Sequence, residues 1–316
     1  MHYTRPLIGN AAVMHYLQKV VKNGIVPHAQ IWVGPNQIGK KTFLANHLFE
    51  RWCAQGKACL KCLTCRQLQH DHYAGLRWLE GSALDMATVR SVIQEAAETS
   101  LSAQHRAIVI TQAEQLGIQV YNALLKLLEE PRNQITIYLL TTSLDPLPAT
   151  VQSRCSVIYF QPVPVDELSV AFPDLAEYIG LANGLPGKLL RWQKPTQRQQ
   201  SVQQLQDWLA IVHSVPVERL QPAARLLPDR AKAVDLNRQL DQLELVIQLL
   251  LASQTGLTTT IDPALHQQLG QAAQQYDLRH TVAALHQLAT ARRSLVRQVQ
   301  PKLVMTNLLL NIYPSV

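Results

Sequence analysis

No stretch of this sequence approaches the roughly 18–20 consecutive apolar residues that a membrane-spanning helix needs. The first thirty residues carry Arg5, Lys19, Lys22 and His28 without an uninterrupted apolar run. They do not read as a signal peptide, and a cytoplasmic location is expected. Charge is sparse at 16%, and the 29 Lys and Arg that outnumber 22 Asp and Glu form no long basic run. The resulting net charge of +7 suits nucleic acid or an acidic partner, and equally a basic solvated surface with no such role. Cysteine is too scarce for a disulfide framework: of five, four fall between Cys53 and Cys65, which speaks for a metal. There is no fixed-period repeat and no low-complexity tail. What remains is an ordinary globular composition, 47% hydrophobic over 316 residues, enough for two or three domains.

Up to about residue 160, short apolar runs alternate with helical patterns, which predicts a parallel sheet covered by helices. Candidate strands are Ile31–Val33, Leu76–Leu79, Ala107–Ile110, Thr136–Leu140 and Ser156–Tyr159. Asn122–Glu130 reads as a helix stopped by Pro131. Gln161-Pro162-Val163-Pro164 marks a linker, followed by short helical segments around Gly184-Leu185-Pro186-Gly187. From about 205 the chain is rich in Gln and Leu and lacks strand signals. Leu236, Leu240, Leu243, Ile247 and Leu250 have helical spacing, as do Val282, Leu285, Leu288, Leu295, Val299 and Leu303 with one gap. A helical bundle packed through these stripes is expected.

Gly34-Pro-Asn-Gln-Ile-Gly39-Lys40-Lys41-Thr42 follows Ile31-Trp32-Val33 and begins as a phosphate-binding loop. Such a loop works because backbone N–H groups and a helix N-terminus favour phosphate oxygens. Gly34 and Gly39 permit the turn, and Lys40 has the reach for the β- and γ-phosphates. Hydrolysis asks for more: a hydroxyl and an acid on magnesium, and a group that orients water. Lys41 stands where the hydroxyl belongs, and Thr42 comes one place late. The run Ile108-Val109-Ile110 ends in Thr111-Gln112 where an Asp-Glu pair would be expected, and Glu114, two places beyond, is a poor substitute. The site is expected to be catalytically incompetent, a retained scaffold. Weak nucleotide binding without turnover stays open.

Cys53-x5-Cys59-x2-Cys62-x2-Cys65 offers four soft thiols at a spacing tetrahedral zinc accepts. Gly56, Lys57 and Lys61 suit a tight polar knuckle, and His70 and His72 lie near enough to replace one ligand. A closed four-thiolate shell is structural, with no open position for catalysis. Free reduced thiols and an iron–sulfur cluster are the alternatives, the latter at a spacing that fits known cluster runs poorly.

Further stretches then align with one family. They are Gly9-Asn10, His28-Ala29-Gln30, the Gly34–Lys41 loop, the four-cysteine insertion and Asn122-Ala-Leu-Leu-Lys-Leu-Leu-Glu129-Glu130-Pro131. Thr141-Thr142, Thr150-Val-Gln-Ser153-Arg154-Cys155 and Gly184–Gly187 complete the set. Over about residues 1–190 the chain resembles the clamp-loader branch of the AAA+ proteins. Beyond that, helical character and Pro301-Lys302-Leu303 are all that match.

The resemblance implies an α/β AAA+ P-loop core over 1–160 with a zinc module at 53–65, a helical lid over 161–205 and an all-α collar over 206–316. It also implies a non-hydrolysing subunit of a five-membered assembly. The partners implied are gamma/tau ATPase subunits and a delta subunit, with the sliding clamp and primed DNA in the same complex. Arg154 would project into a neighbour's ATP site as an arginine finger, with Ser153 shaping its turn. Without the resemblance, a surface ion pair is the favoured reading of Arg154. No lid arginine that would sense nucleotide is evident, Lys188 being the nearest basic residue, and Thr142 takes the phosphate-sensor place only to cap or pack. The alternatives are an active clamp-loader ATPase with an unusual magnesium site and an independent zinc-dependent nucleic-acid module. The latter has only Trp52 and Tyr73 beside the knuckle for stacking.

Overall fold

A computed structural model of the chain describes residues 6–97, 105–129, 135–214, 218–221, 233–256, 263–274, 276–296 and 299–312. The described chain divides into two compact units. One holds the residues up to Ala171 together with Gly184–Gly187, and the other holds Phe172–Asn183 and the residues from Lys188 on.

The first unit is built on five strands: β1 (Ala29–Val33), β2 (Leu76–Glu80), β3 (Arg106–Thr111), β4 (Ile135–Thr141) and β5 (Ser156–Tyr159). Each contains one of the expected runs. They pair in parallel in the order β2-β3-β4-β1-β5. β1 and β4 are buried along their whole length, as strands covered on both faces must be. Gln30 is buried in β1, and its polar ends are met by the Trp32 indole at 2.9 Å and the Pro27 carbonyl at 3.3 Å.

Helices α1 (Ala11–Lys22), α2 (Lys40–Trp52), α3 (Leu63–Gln69), α4 (Met86–Ala97), α5 (Ile118–Glu129), α6 (Ala149–Gln152) and α7 (Val165–Ala171) link and cover these strands. On α5, Val120, Tyr121, Leu124, Leu127 and Leu128 are buried, a spacing that puts them on one face. This helix begins a turn before the expected Asn122. Glu130 and Pro131, read as its end, lie outside the described residues. Because β3, β4 and β1 are neighbours, their C-terminal ends bring the phosphate loop, Thr111-Gln112 and Thr141-Thr142 to one edge of the sheet, where α/β folds commonly hold ligands.

The second unit is helical. Its elements are α8 (Ile179–Ala182), the part of α9 (Pro186–Trp192) from Lys188, α10 (Pro195–His213), α11 (Ala233–Gln254), α12 (Pro263–Ala273), α13 (Leu278–Val296) and α14 (Pro301–Asn311). The first expected stripe is core: Leu236, Leu240, Leu243, Ile247 and Leu250 are all buried on α11. The second needs correction. Leu288 and Leu295 are buried as expected and Leu285 is half-buried, but Val282, Val299 and Leu303 are exposed, and Thr281, Ala284 and Ala291 complete the buried face of α13. Small side chains fill the rest of that face, so Val282, one place along from Thr281, looks like seam and is not.

Candidate functional site

The phosphate loop is folded onto itself. Gly39, with φ 107°, caps the start of α2 in a conformation open to glycine. Lys40 Nζ does not face outward: it donates to the carbonyls of Gly34 and, at 3.1 Å, Pro35 within its own loop. Burial lowers its pKa to about 8, opposed by the Glu114 carboxylate. Gly34 leaves no room on its open side, since a Cβ there would come within 2.8 Å of Phe160. The Gly184–Gly187 segment closes on the loop. Gly187 N–H donates to Gln37 O at 2.9 Å, and a Cβ on Gly187 would lie 2.6 Å from that oxygen. Lys41, in the hydroxyl position, is exposed.

The expected acid positions are likewise engaged elsewhere. Thr111 Oγ1 donates to Leu79 O at 3.4 Å. Gln112, at φ 52°, donates from Nε2 to Glu80 Oε1 at 3.1 Å. Glu114 accepts from Thr142 N–H at 3.3 Å and from Thr142 Oγ1 at 3.0 Å, tying the exit of β3 to that of β4. Glu114 and Thr142 are thus each other's partners. Thr142 caps a carboxylate, in keeping with the capping role expected of it.

Arg154 lies apart from this cluster, on the turn after α6. That turn is shaped by Ser153, whose Oγ donates to Thr150 O at 3.2 Å. The Arg154 guanidinium donates through Nη1 to Thr150 O at 2.9 Å and to Ser153 Oγ at 3.4 Å. Through Nη2 it pairs with Glu129 Oε1 at 2.7 Å. Its side chain is 36% exposed and that of Glu129 48%. Glu129 comes from the end of α5, 25 residues away, so no local pattern announced the pair. Cys155, next in the chain, has its thiol pushed up to about 12 by burial, which makes it a packing group and not a nucleophile.

The four clustered cysteines converge. Cys53 caps the C-terminus of α2, Cys62 and Cys65 frame the start of α3, and all four Sγ atoms lie within 4.8 Å of one another. All are free thiols. Cys59 and Cys65 Sγ stand 4.0 Å apart, far beyond a disulfide bond and close to the ~3.8 Å edge of a tetrahedral ZnS4 site. Backbone N–H groups of Gln55, Cys62 and Cys65 point at the sulfurs of Cys53, Cys59 and Cys62 from 3.4–3.5 Å. Those bonds favour thiolate, and they lower the Cys59 pKa to about 6, whereas burial pushes Cys65 up to about 12. Such a cluster fits a thiophilic tetrahedral ion. His70 and His72 are stacked on each other, and neither joins the four sulfurs in the cluster.

Residues 9–164 match the family model described as DNA polymerase III, delta subunit. The chain is related to the clamp-loader subunits of DNA polymerase III. It is 28% identical to subunit delta' of Bacillus subtilis over 48% of this chain and 47% of that one. It is 31% identical to subunit delta' of Pseudomonas aeruginosa over 50% and 53%. Subunit tau of Escherichia coli matches at 24% identity over 51% of this chain and 26% of that protein. The chain thus spans about half the length of its delta' relatives. Delta' and tau relatives alike match about half of the chain, so the likeness does not separate the two.

In the second unit, Lys188 is buried, its pKa lowered by that burial against the pull of Asp241 and Glu244. The same two acids each bind Arg292 at 2.7 Å. The nearest basic residue to a lid sensor therefore sits in an electrostatic cluster of the helical unit.

Proposed function

We propose that this chain is a delta-prime-type stator of the clamp loader: it assembles with gamma/tau ATPase subunits and a delta subunit, hydrolyses nothing alone, and supplies Arg154 to a neighbour's ATP. The observation that carries the reading is the contrast between its two candidate groups. Lys40 is half-buried and bonded inward to its own loop and the Glu114 carboxylate is held by Thr142, while Arg154, though paired with Glu129, is held at the solvent-exposed surface. A guanidinium is permanently charged and presents several N–H donors in a plane, which suits phosphate oxygens whose charge grows in the transition state. Gly34, Gly39 and Lys40 are then a vestigial loop that turns over no ATP.

In this reading residues 1–160 are the core, 161–205 the lid and 206–316 the collar through which the subunit joins the ring. The ring loads the sliding clamp on primed DNA in the cytoplasm. Cys53, Cys59, Cys62 and Cys65 would hold zinc, which would supply a crosslink between the end of α2 and the start of α3 and take no part in ATP chemistry.

The test is the clamp- and DNA-stimulated ATPase of the reconstituted loader carrying Arg154→Ala, with assembly verified. The expected outcome is a fall of about tenfold or more at the site it faces. An unchanged rate would leave a scaffold without a finger. Kinship to gamma and tau keeps a second reading, an active ATPase subunit, for which Mg-dependent ATP turnover by the isolated chain is the decisive sign.

A further inference from the structure

We propose that Glu129 is a latch on Arg154, holding the guanidinium on this subunit until the phosphates of a docked neighbour displace it. The proposal rests on the reading of Arg154 as a residue acting in trans and adds a means of control. Both terminal nitrogens of Arg154 are engaged within the subunit: Nη2 on Glu129 at 2.7 Å, Nη1 on Thr150 O at 2.9 Å. A phosphate gripped in the two-pronged way, end-on through both terminal nitrogens or side-on through Nε and one of them, competes with these partners. The carboxylate also cancels much of the positive field that a neighbour's triphosphate would meet.

The placement of Glu129 is fixed by the fold. It ends α5, whose Leu127 and Leu128 are buried. His28, just ahead of β1, bonds Leu128 O through Nε2 at 2.9 Å. A carbonyl can only accept, so that ring nitrogen carries the proton and caps the helix end. An acid in the last turn works against the helix dipole, so helix stability does not explain an acid there. On the other side, Arg154 follows α6, whose Val151 is fully buried. The two elements share one buried core through Leu127, Leu128 and Val151, and their half-exposed tips carry the ion pair. An exposed pair of this kind is weak, and a multiply charged phosphate can outcompete one carboxylate for the guanidinium. The latch would hold down hydrolysis in a neighbour that is not fully docked, and yield when it is.

The experiment is the ATPase of the reconstituted loader with the parent chain, E129Q, E129A, R154A and the double variant E129Q/R154A, each with and without clamp and primed DNA. Melting midpoints of the isolated variants establish that they fold. The latch predicts that E129Q and E129A raise the unstimulated rate about two- to fivefold, the worth of a surface pair. It also predicts a smaller change in the stimulated rate and no rise from E129Q when Arg154 is absent. If both Glu129 variants leave the unstimulated rate unchanged or lower it while R154A still slows hydrolysis, the latch is overturned and the finger stands. If R154A has no effect in an assembled loader, the finger reading falls and the latch with it.

Discussion

Lys40 sits where burial and a carboxylate act on it in opposite directions, and burial prevails. Its pKa is lowered from 10.5 to about 8. In the unfolded chain the amine keeps its proton to higher pH. Between about pH 8 and 10.5 the unfolded state therefore binds more protons, and this group makes stability rise with pH. Below pH 8 both states are charged and the burial penalty is constant. Urea unfolding of the parent and of Lys40→Met at pH 7.5 and 10 isolates the effect. The parent should gain on the variant with rising pH, by on the order of 3 kcal/mol at full development. A pH-independent difference would mean that the amine is solvated and the loop open. That the hydroxyl and the paired acids were missing could be read from Lys41, Thr111 and Gln112. Where the Lys40 amine goes could not, because its acceptors are main-chain carbonyls that every sequence possesses.

At the scale of elements, the cysteine module joins the last turn of α2 to α3, and it reaches β3 through stacked rings. Trp52 packs on Tyr73 at 5.1 Å and on His105 at 6.1 Å, and Tyr73 OH donates to His105 O at 3.1 Å. A metal held by the four sulfurs would pin these pieces together. Cys65→Ser should release zinc, read by metal analysis of the purified chain. It should also lower the melting midpoint by ~2–4 °C for each kcal/mol lost in a unit of this size. Full retention of the midpoint after chelation would show that the module folds on its thiols alone. The spacing of the cysteines made this module visible in sequence. The Gly187–Gln37 closure was not, since the partners are 150 residues apart and meet only through backbone.

For the whole molecule, the excess of Lys and Arg is spread over both units without a basic run, so the lone chain should track few phosphates. Fluorescence anisotropy with primed DNA should show affinity falling by no more than about tenfold between 50 and 200 mM salt, the slope of about two phosphate contacts. A thousandfold loss would instead mark a dedicated DNA-binding module. The inner strands β1, β3 and β4 were legible because parallel strands buried on both faces read as apolar runs. The second helical seam was legible only at Leu288 and Leu295, because Thr281, Ala284 and Ala291 pack as core while looking like filler.

The close approach of Gly34 to Phe160 bears on how such a chain could change over time. Any side chain at position 34 would strike the Phe160 backbone and Cβ, with or without a nucleotide nearby. Purifying selection on that contact would keep the first glycine of the signature in lineages that had long ceased to bind ATP. Its persistence among descendants would then record the ancestry of the core, and say nothing about present chemistry.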